Sequence, residues 1–136
     1  MRLLAGVQPE REAIVRKTAL IVDDSKAMRQ LVAFTLGGAG FEVIEGVDGQ
    51  DALDKLGTLP QLSLIVTDVN MPTMDGLTFV RRVRALPAYK FTPLLVLTTE
   101  SDDEKKKEGR AAGATGWIVK PFNPEQMLKT VAKVVP

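Results

Sequence analysis

Short apolar runs alternate five times with stretches of helical periodicity, and this alternation constrains the fold more than any other feature. The runs are ALIV at 19–22, EVIEGV at 42–47, LSLIV at 62–66, LLVL at 94–97 and WIV at 117–119. Four of them predict strands buried on both faces, whereas the more polar run at 42–47 predicts an edge strand. The alternation predicts one α/β domain with a parallel sheet between two layers of helices.

Four stretches outside these runs have apolar residues at helical spacing, and each begins at a residue that can cap a helix. The capping residues are Ser25, Asp48, Asp75 and Asn123. The stretch at 101–114 is also helical in composition, but Gly109 interrupts it and its only apolar residues are alanines. We therefore expect four anchored helices and one weakly held helix, the fourth in chain order.

The first 17 residues stand apart from this pattern, so we expect an N-terminal extension at 1–17 and the folded domain at 18–136. The extension is predicted to be either a disordered arm or one short helix. Its apolar stretch, Leu3–Val7, is too short for a signal peptide, and no part of the sequence approaches the ~20 apolar residues of a membrane span. We expect a cytoplasmic protein without membrane contact.

Composition excludes several kinds of chemistry. Because the sequence has no His and no Cys, it cannot form a Ser-His-Asp triad, a zinc site with His or Cys ligands, or a cysteine nucleophile. Eighteen basic and 17 acidic residues give a net charge of +1, which provides no global attraction to nucleic acid. Any chemistry must use carboxylates, hydroxyls, Lys or a hard cation.

Polar residues follow four of the predicted strands. They are Asp23 and Asp24 after the first, Asp68 after the third, Thr98 and Thr99 after the fourth, and Lys120 after the fifth. The carboxyl ends of parallel strands share one edge of the sheet, and ligands of open α/β sheets bind at that edge. We therefore expect three acids, a hydroxyl and one ammonium group at a common site.

Three neighbouring carboxylates repel one another unless a cation lies among them, and all-oxygen ligands favour Mg²⁺. An Asp can also act as a nucleophile and form an aspartyl phosphate, and Asp68 on a central strand is the best placed. Thr98 and Lys120 could then contact the phosphoryl oxygens. Each residue alone could instead cap a helix, begin a loop or lie in solvent, but together they form a complementary set.

Four motifs occur in the order and spacing of the receiver domain of two-component response regulators. They are LIVDDS at 20–25, VTDVNMPTMDGL at 66–77, LTTE at 97–100 and GWIVKPF at 116–122. The sequence from 18 to 136 therefore resembles a receiver domain. The resemblance implies a flavodoxin-like, doubly wound (βα)5 three-layer sandwich with strand order 2-1-3-4-5.

The resemblance also implies how the site works. Asp68 would accept a phosphoryl group from the phosphohistidine of a sensor histidine kinase. Asp24 and Asp68 would ligate Mg²⁺ directly, Asp23 would do so through water, and the backbone carbonyl of Asn70 would complete the protein ligands. The Lys120–Pro121 peptide bond would be cis.

Sensing, switching and dephosphorylation residues follow from the same resemblance. Thr98 and Lys120 would detect the phosphoryl group, and Asn70 and Glu100 would influence its hydrolysis. Trp117 stands where many receivers have Tyr or Phe as a rotameric switch. We therefore expect Thr98 and Trp117 to change conformation together on phosphorylation.

Among receivers, the chain most resembles stand-alone chemotaxis regulators of the CheY type, because it ends after the predicted fifth helix. This implies a CheA-like kinase as phosphodonor, a flagellar motor switch protein or a phosphatase as a further partner, and no binding to nucleic acid. The surface of the fourth helix, fifth strand and fifth helix would carry the signal, where Lys105–Lys107 either favour an acidic partner or form a solvated face. The protein would be a signalling protein, not an enzyme, catalysing only its own phosphorylation and dephosphorylation.

Three alternative functions use the same residues. A receiver that serves as a phosphate sink or relay, without binding a motor, would have an identical site. An aspartate-nucleophile phosphohydrolase of the haloacid dehalogenase type needs a second Asp where this chain has Asn70. A flavodoxin-like mononucleotide binder needs a phosphate-binding loop after the first strand, where the acidic sequence DDSK at 23–26 would repel phosphate.

Overall fold

The computed structural model describes residues 17–59, 61–99 and 103–136. Five strands form one parallel sheet: β1 (Lys17–Val22), β2 (Phe41–Gly46), β3 (Leu64–Asp68), β4 (Leu94–Thr98) and β5 (Gly116–Val119). Their order is β2-β1-β3-β4-β5, which confirms the flavodoxin-like topology implied by the resemblance. β1 begins at Lys17, and the rest of the predicted extension, 1–16, lies outside the described residues.

The two edges of the sheet are β2 and β5. The prediction that the polar run at 42–47 forms an edge strand is confirmed, because β2 pairs only with β1 in the part of the chain that the structure describes. The prediction that the run at 117–119 is buried on both faces is wrong, since Val119 is 37% exposed and Trp117 is half-buried. Among the described residues, β5 pairs with β4 alone and forms an edge of the sheet.

In the described residues, four α-helices connect successive strands, α1 (Lys26–Gly38), α2 (Gly49–Leu56), α3 (Gly76–Arg84) and α4 (Asp103–Ala112), and a fifth, α5 (Pro124–Val134), follows β5. All four predicted N-caps are confirmed, because the side chains of Ser25, Asp48, Asp75 and Asn123 each accept a hydrogen bond from the backbone N–H three residues later. Within the described ranges, no helix is long and apolar enough to cross a membrane.

Each face of the sheet packs against its own set of helices. Alternate strand residues point to opposite faces, so that Leu20 and Val22 pack with α2 and α3, whereas Ala19 and Ile21 pack with α1 and α5. Both clusters are apolar and nearly inaccessible to solvent. Burial on both faces makes the central strands rigid, and it fixes the positions of the residues at their ends.

The fourth helix, α4, runs unbroken from Asp103 to Ala112, so the prediction that Gly109 interrupts it is wrong. Gly109 is instead a packing position, because a Cβ atom on it would clash with the ring of Trp117. The described residues of α4 bury only Gly109 and Ala112, in agreement with the expected weak apolar anchoring.

Arg84, at the end of α3, anchors the segment that follows α4. Its guanidinium donates hydrogen bonds to the carbonyl oxygens of Gly113 (2.9 Å), Tyr89 (2.8 Å) and Thr92 (2.7 Å). Burial lowers the pKa of this guanidinium, although it remains a cation at neutral pH. Arg84 therefore links the segment after α4 to the loop between α3 and β4.

Candidate functional site

The predicted site residues meet at the carboxyl edge of the sheet because β1, β3 and β4 are parallel and adjacent. Asp23 follows β1, while Asp68 is the last residue of β3 and lies in register with Leu97 of β4. Asp68 is 5% exposed and Asp23 is 1% exposed, whereas Asp24 is open to solvent. The sheet thus holds two buried carboxylates in place and leaves a third at the entrance.

The three acids form one cluster. One carboxylate oxygen from each of Asp23, Asp24 and Asp68 lies within 4.8 Å of the other two. The Oδ1 atom of Asp23 accepts a hydrogen bond from the Ser25 N–H at 2.9 Å, but its buried Oδ2 atom has no hydrogen-bond partner among the described residues. A buried carboxylate oxygen without a donor is costly, unless a cation meets it.

The electrostatics of Asp23 agree with this shortage of positive partners. Burial raises the pKa of the Asp23 carboxyl, and the nearby negative charge of Asp68 adds to the increase. The hydrogen bond from Ser25 and the charge of Lys120 oppose the increase but do not overcome it. The site therefore favours either a proton or a metal cation at Asp23.

Lys120 is the cation that the protein itself supplies. Its Nζ lies 2.7 Å from Oδ1 of Asp68 and 3.7 Å from Oδ2 of Asp23. The backbone N–H of Lys120 donates to the Thr98 carbonyl oxygen at 2.7 Å, and the Lys120–Pro121 peptide bond is cis, as the resemblance predicted. One ammonium group thus lies close to two of the three carboxylates in the cluster, which leaves negative charge for a further cation.

The donor set fits a hard divalent cation. It consists of carboxylate oxygens, with no nitrogen or sulfur ligand, and one of those oxygens is buried without a hydrogen-bond donor. Mg²⁺ prefers this kind of oxygen site and commonly uses one or two carboxylates together with water and phosphate oxygens. The residues present are therefore compatible with magnesium.

The other predicted site residues lie around this cluster. Thr98 ends β4 and is buried, while Thr99 and Asn70 are exposed at the same edge of the sheet. Trp117 of β5 packs against Gly109 of α4. Glu100, predicted to influence hydrolysis, lies outside the described residues.

Sequence reasoning missed two residues that position the site. Gly76, the first residue of α3, lies so close to Asp68 that a Cβ atom would clash with the Asp68 carbonyl oxygen. Arg29 of α1 donates to the Asp23 carbonyl oxygen at 2.7 Å. The Asp-Gly pair at 75–76 could have indicated the role of Gly76. The contact of Arg29 could not be read from the sequence, because it depends on the angle at which α1 leaves the sheet.

The fold and this site define a class of signalling protein. A sequence model of the response regulator receiver domain matches residues 19–132. That match spans most of the chain, and the chain therefore belongs to the response regulator receiver domain family.

Within the family, the chain is similar to chemotaxis proteins of the CheY type. It is 40% identical to chemotaxis protein CheY1 of Helicobacter pylori over 117 residues, which cover 85% of this chain and 94% of that protein. It is 52% identical to the solved structure of CheY4, a chemotaxis response regulator of Vibrio cholerae, with a TM-score of 0.85 and coverage of 89% of this chain and 100% of that one.

A more distant neighbour has the same fold. The receiver domain of a sensor histidine kinase from Pseudomonas aeruginosa superimposes with a TM-score of 0.80, covering 88% of this chain and 98% of that one. That structure contains a magnesium ion coordinated in its active-site cleft, and its sequence is 21% identical to this chain. At this identity, the similarity is one of fold.

Proposed function

We propose that this chain is a single-domain response regulator that accepts a phosphoryl group on Asp68 from a CheA-like histidine kinase. The observation that carries the proposal is the cluster of Asp23, Asp24 and Asp68, with the ammonium group of Lys120 in contact with Asp68. A carboxylate nucleophile next to cation-binding acids is the arrangement that aspartyl phosphate formation needs. We also propose that the protein is cytoplasmic, as expected from the sequence.

In the proposed reaction, an oxygen of the Asp68 carboxylate attacks phosphorus, the N–P bond of the phosphohistidine breaks, and an aspartyl phosphate forms. Asp23, Asp24, Asp68 and the backbone carbonyl of Asn70 would hold the magnesium ion. When bound, the ion supplies positive charge that stabilises the negative charge of the transferring phosphoryl group. Because Asp68 would be only one of several ligands, one of its two carboxylate oxygens would remain for the attack.

Lys120 and Thr98 would respond to the new group. In the unphosphorylated protein the ammonium group of Lys120 contacts Asp68, so it lies where it can bind a phosphoryl oxygen instead. The Thr98 hydroxyl, at the end of the neighbouring strand, would donate to another phosphoryl oxygen. We propose that these two contacts sense phosphorylation.

The proposed output surface comprises α4, β5 and α5. Movement of Thr98 toward the phosphoryl group would make room behind β4, and Trp117 would occupy it. α4 buries few side chains, so displacing it costs little free energy. A pocket of about 70 Å³ beside Trp117 is lined by Lys106 and Arg110, which would favour an acidic segment of a partner.

Hydrolysis would end the signal. Water would attack phosphorus, the O–P bond of the aspartyl phosphate would break, and inorganic phosphate would leave with the Asp68 carboxylate restored. Asn70 and Glu100 would modulate the rate, and a phosphatase could increase it. The chain is therefore proposed to be a signalling protein whose only catalysis is of its own phosphorylation and dephosphorylation.

Phosphorylation is tested by incubating the full chain with Mg²⁺ and an acyl phosphate and measuring intact mass. Wild type and the Asp54→Asn control, which changes an exposed residue of α2, should each gain one labile phosphoryl group. Asp68→Asn, and wild type in a chelator, should gain none. Absence of a phosphoryl group on wild type with Mg²⁺ present would refute the proposal.

The output is tested separately, because a phosphate sink would pass the first experiment. The full chain, with and without beryllium fluoride as phosphoryl mimic, is applied to an immobilised flagellar motor switch protein. Motor control requires binding that increases with the mimic. Failure to bind in either state would leave phosphorylation intact and identify the chain as a sink or relay.

A further inference from the structure

We propose that Arg29 is a positioning residue for the acidic cluster, which fixes the backbone at Asp23 so that Asp23 and Asp24 face Asp68. The inference rests on the proposed function, because it concerns how well the cluster binds Mg²⁺. Arg29 lies one turn into α1. Within the described residues, its hydrogen bonds go to the Asp23 backbone carbonyl and to Glu45, not to a carboxylate of the cluster.

The guanidinium of Arg29 joins two strand ends. Its Nη1 donates to the Asp23 carbonyl oxygen at 2.7 Å, and its Nε donates to Oε1 of Glu45 in β2 at 3.1 Å. Only 12% of the Arg29 side chain is exposed, so solvent competes little with its bond to the Asp23 carbonyl oxygen, whereas the Glu45 side chain is 42% exposed. The planar guanidinium thus bridges α1, the end of β1 and β2.

A second hydrogen bond fixes the peptide group on the other side of the Asp23 Cα atom. The backbone N–H of Asp23 donates to the Gly46 carbonyl oxygen at 3.2 Å. The backbone of Asp23 is therefore hydrogen-bonded on both sides of its Cα atom. Its N–H binds Gly46 of β2, and its carbonyl group binds Arg29, which in turn binds Glu45 of β2. Because Asp24 follows directly, the direction of its side chain depends on the same two bonds.

Charge alone predicts the opposite effect on metal binding. A guanidinium next to a cation site repels the cation, so its removal should strengthen Mg²⁺ binding if Arg29 acts only through its charge. If Arg29 acts by positioning, its removal should weaken Mg²⁺ binding even though a positive charge is lost. The sign of the change therefore distinguishes positioning from electrostatics.

The test measures Mg²⁺ dissociation constants of the full chain by calorimetry, well below the melting temperature. Arg29→Met and Arg29→Lys should each bind Mg²⁺ about tenfold more weakly than wild type, as is usual for residues that orient metal ligands. Lys keeps the charge but lacks the planar pair of donors, so it should not restore binding. Arg82→Met, which changes an exposed residue of α3, should bind like wild type.

If Arg29→Met unfolds, Arg29→Lys decides the outcome, because it keeps the positive charge and changes only the geometry of the hydrogen-bond donors. A lower melting temperature with unchanged or tighter Mg²⁺ binding in the folded variants would overturn the inference and leave the proposed function standing. If wild type itself binds no Mg²⁺, the proposed function fails, and this inference fails with it.

Discussion

The Nζ atom of Lys120 lies between two buried carboxylates, 2.7 Å from Oδ1 of Asp68 and 3.7 Å from Oδ2 of Asp23. These three residues come from the ends of three different strands, and the Lys120 side chain is 19% exposed. The ammonium group therefore neutralises part of the charge that the sheet concentrates at its edge. In the proposed function, this ammonium group would bind a phosphoryl oxygen once Asp68 is phosphorylated.

Replacing Lys120 should make the unmetallated protein less stable. Lys120→Met leaves two buried carboxylates without their cation, and we expect the free energy of unfolding to fall by about 3 kcal/mol in a chelator. Mg²⁺ should restore more stability to this variant than it adds to wild type, because the ion replaces the missing charge. Denaturant titrations with and without Mg²⁺ measure both effects. Lys129→Met, on the exposed side of α5, serves as control, and an equal loss in the two variants would contradict the prediction.

Asp23 should lower stability at neutral pH, because its pKa in the folded protein is raised above the ordinary value of 3.8. The folded protein favours the protonated carboxyl. The stabilisation from this group is therefore complete below pH 3.8 and is lost as the pH rises through the folded pKa. In a chelator, Asp23→Asn should therefore be more stable than wild type at pH 7. The difference should disappear below pH 3.8. Denaturation at a series of pH values measures it.

Asp51 provides a comparison of opposite sign. The N–H of Val47 donates to its carboxylate, and this bond lowers the pKa of Asp51. The stabilisation is present above pH 3.8 and is lost as the pH falls through the lowered pKa. Asp51→Asn should thus be less stable than wild type at pH 7. If both Asn variants shift stability in the same direction, the assignment of these pKa changes is wrong.

Much of the fold could be predicted because its signals are local. The apolar runs gave the strands, and side chains such as Ser25 and Asn123 marked the helix starts. Strand order could not be derived from periodicity, since the run at 117–119 looks as buried as the central strands. Its place at the edge depends on tertiary packing, and only the family resemblance indicated the order.

The site was predictable for a related reason. Parallel strands place Asp23, Asp68 and Lys120 at one edge of the sheet, so chain position was enough to predict that edge, whereas their contacts with one another also require the strand order. Residues that act across the fold were not predictable. Gly109 looked like a helix break because its role, close contact with Trp117, involves a residue on another element.

Gly76 should be intolerant of a side chain because it lies directly against Asp68. A Cβ atom there would clash with the Asp68 carbonyl oxygen, which belongs to a buried central strand and cannot move freely. Gly76→Ala should reduce the free energy of unfolding by about 2 kcal/mol. Gly57→Ala is a matched control, because the nearest atom to its Cβ would be the Asp54 carbonyl oxygen at 3.6 Å. Thermal denaturation should show a loss in the first variant only, and equal behaviour would exclude the clash.

Thr73 adopts a strained backbone conformation in the loop between β3 and α3. Its φ angle is 67°, and the Met74 N–H donates to the Pro72 carbonyl oxygen at 2.7 Å, closing a three-residue turn around it. Positive φ is unfavourable for a β-branched residue, whereas Asn tolerates it. Thr73→Asn should therefore raise the free energy of unfolding by about 1 kcal/mol. Thr73→Val keeps the branching and should give no gain, and equal gains in both would rule out relief of strain.

The contact between Gly109 and Trp117 should couple the stability of α4 to β5. Gly109→Ala improves helix propensity by about 1 kcal/mol, but its methyl group would meet the Trp117 ring. We expect a net loss of stability with Trp117 present and a net gain in the Trp117→Val background, as circular dichroism during denaturation would measure. Gly37→Ala, where no atom would lie within 4 Å of the new Cβ, should have the same effect in both backgrounds. A loss of equal size from Gly109→Ala in both backgrounds would mean that the ring is not what excludes the side chain.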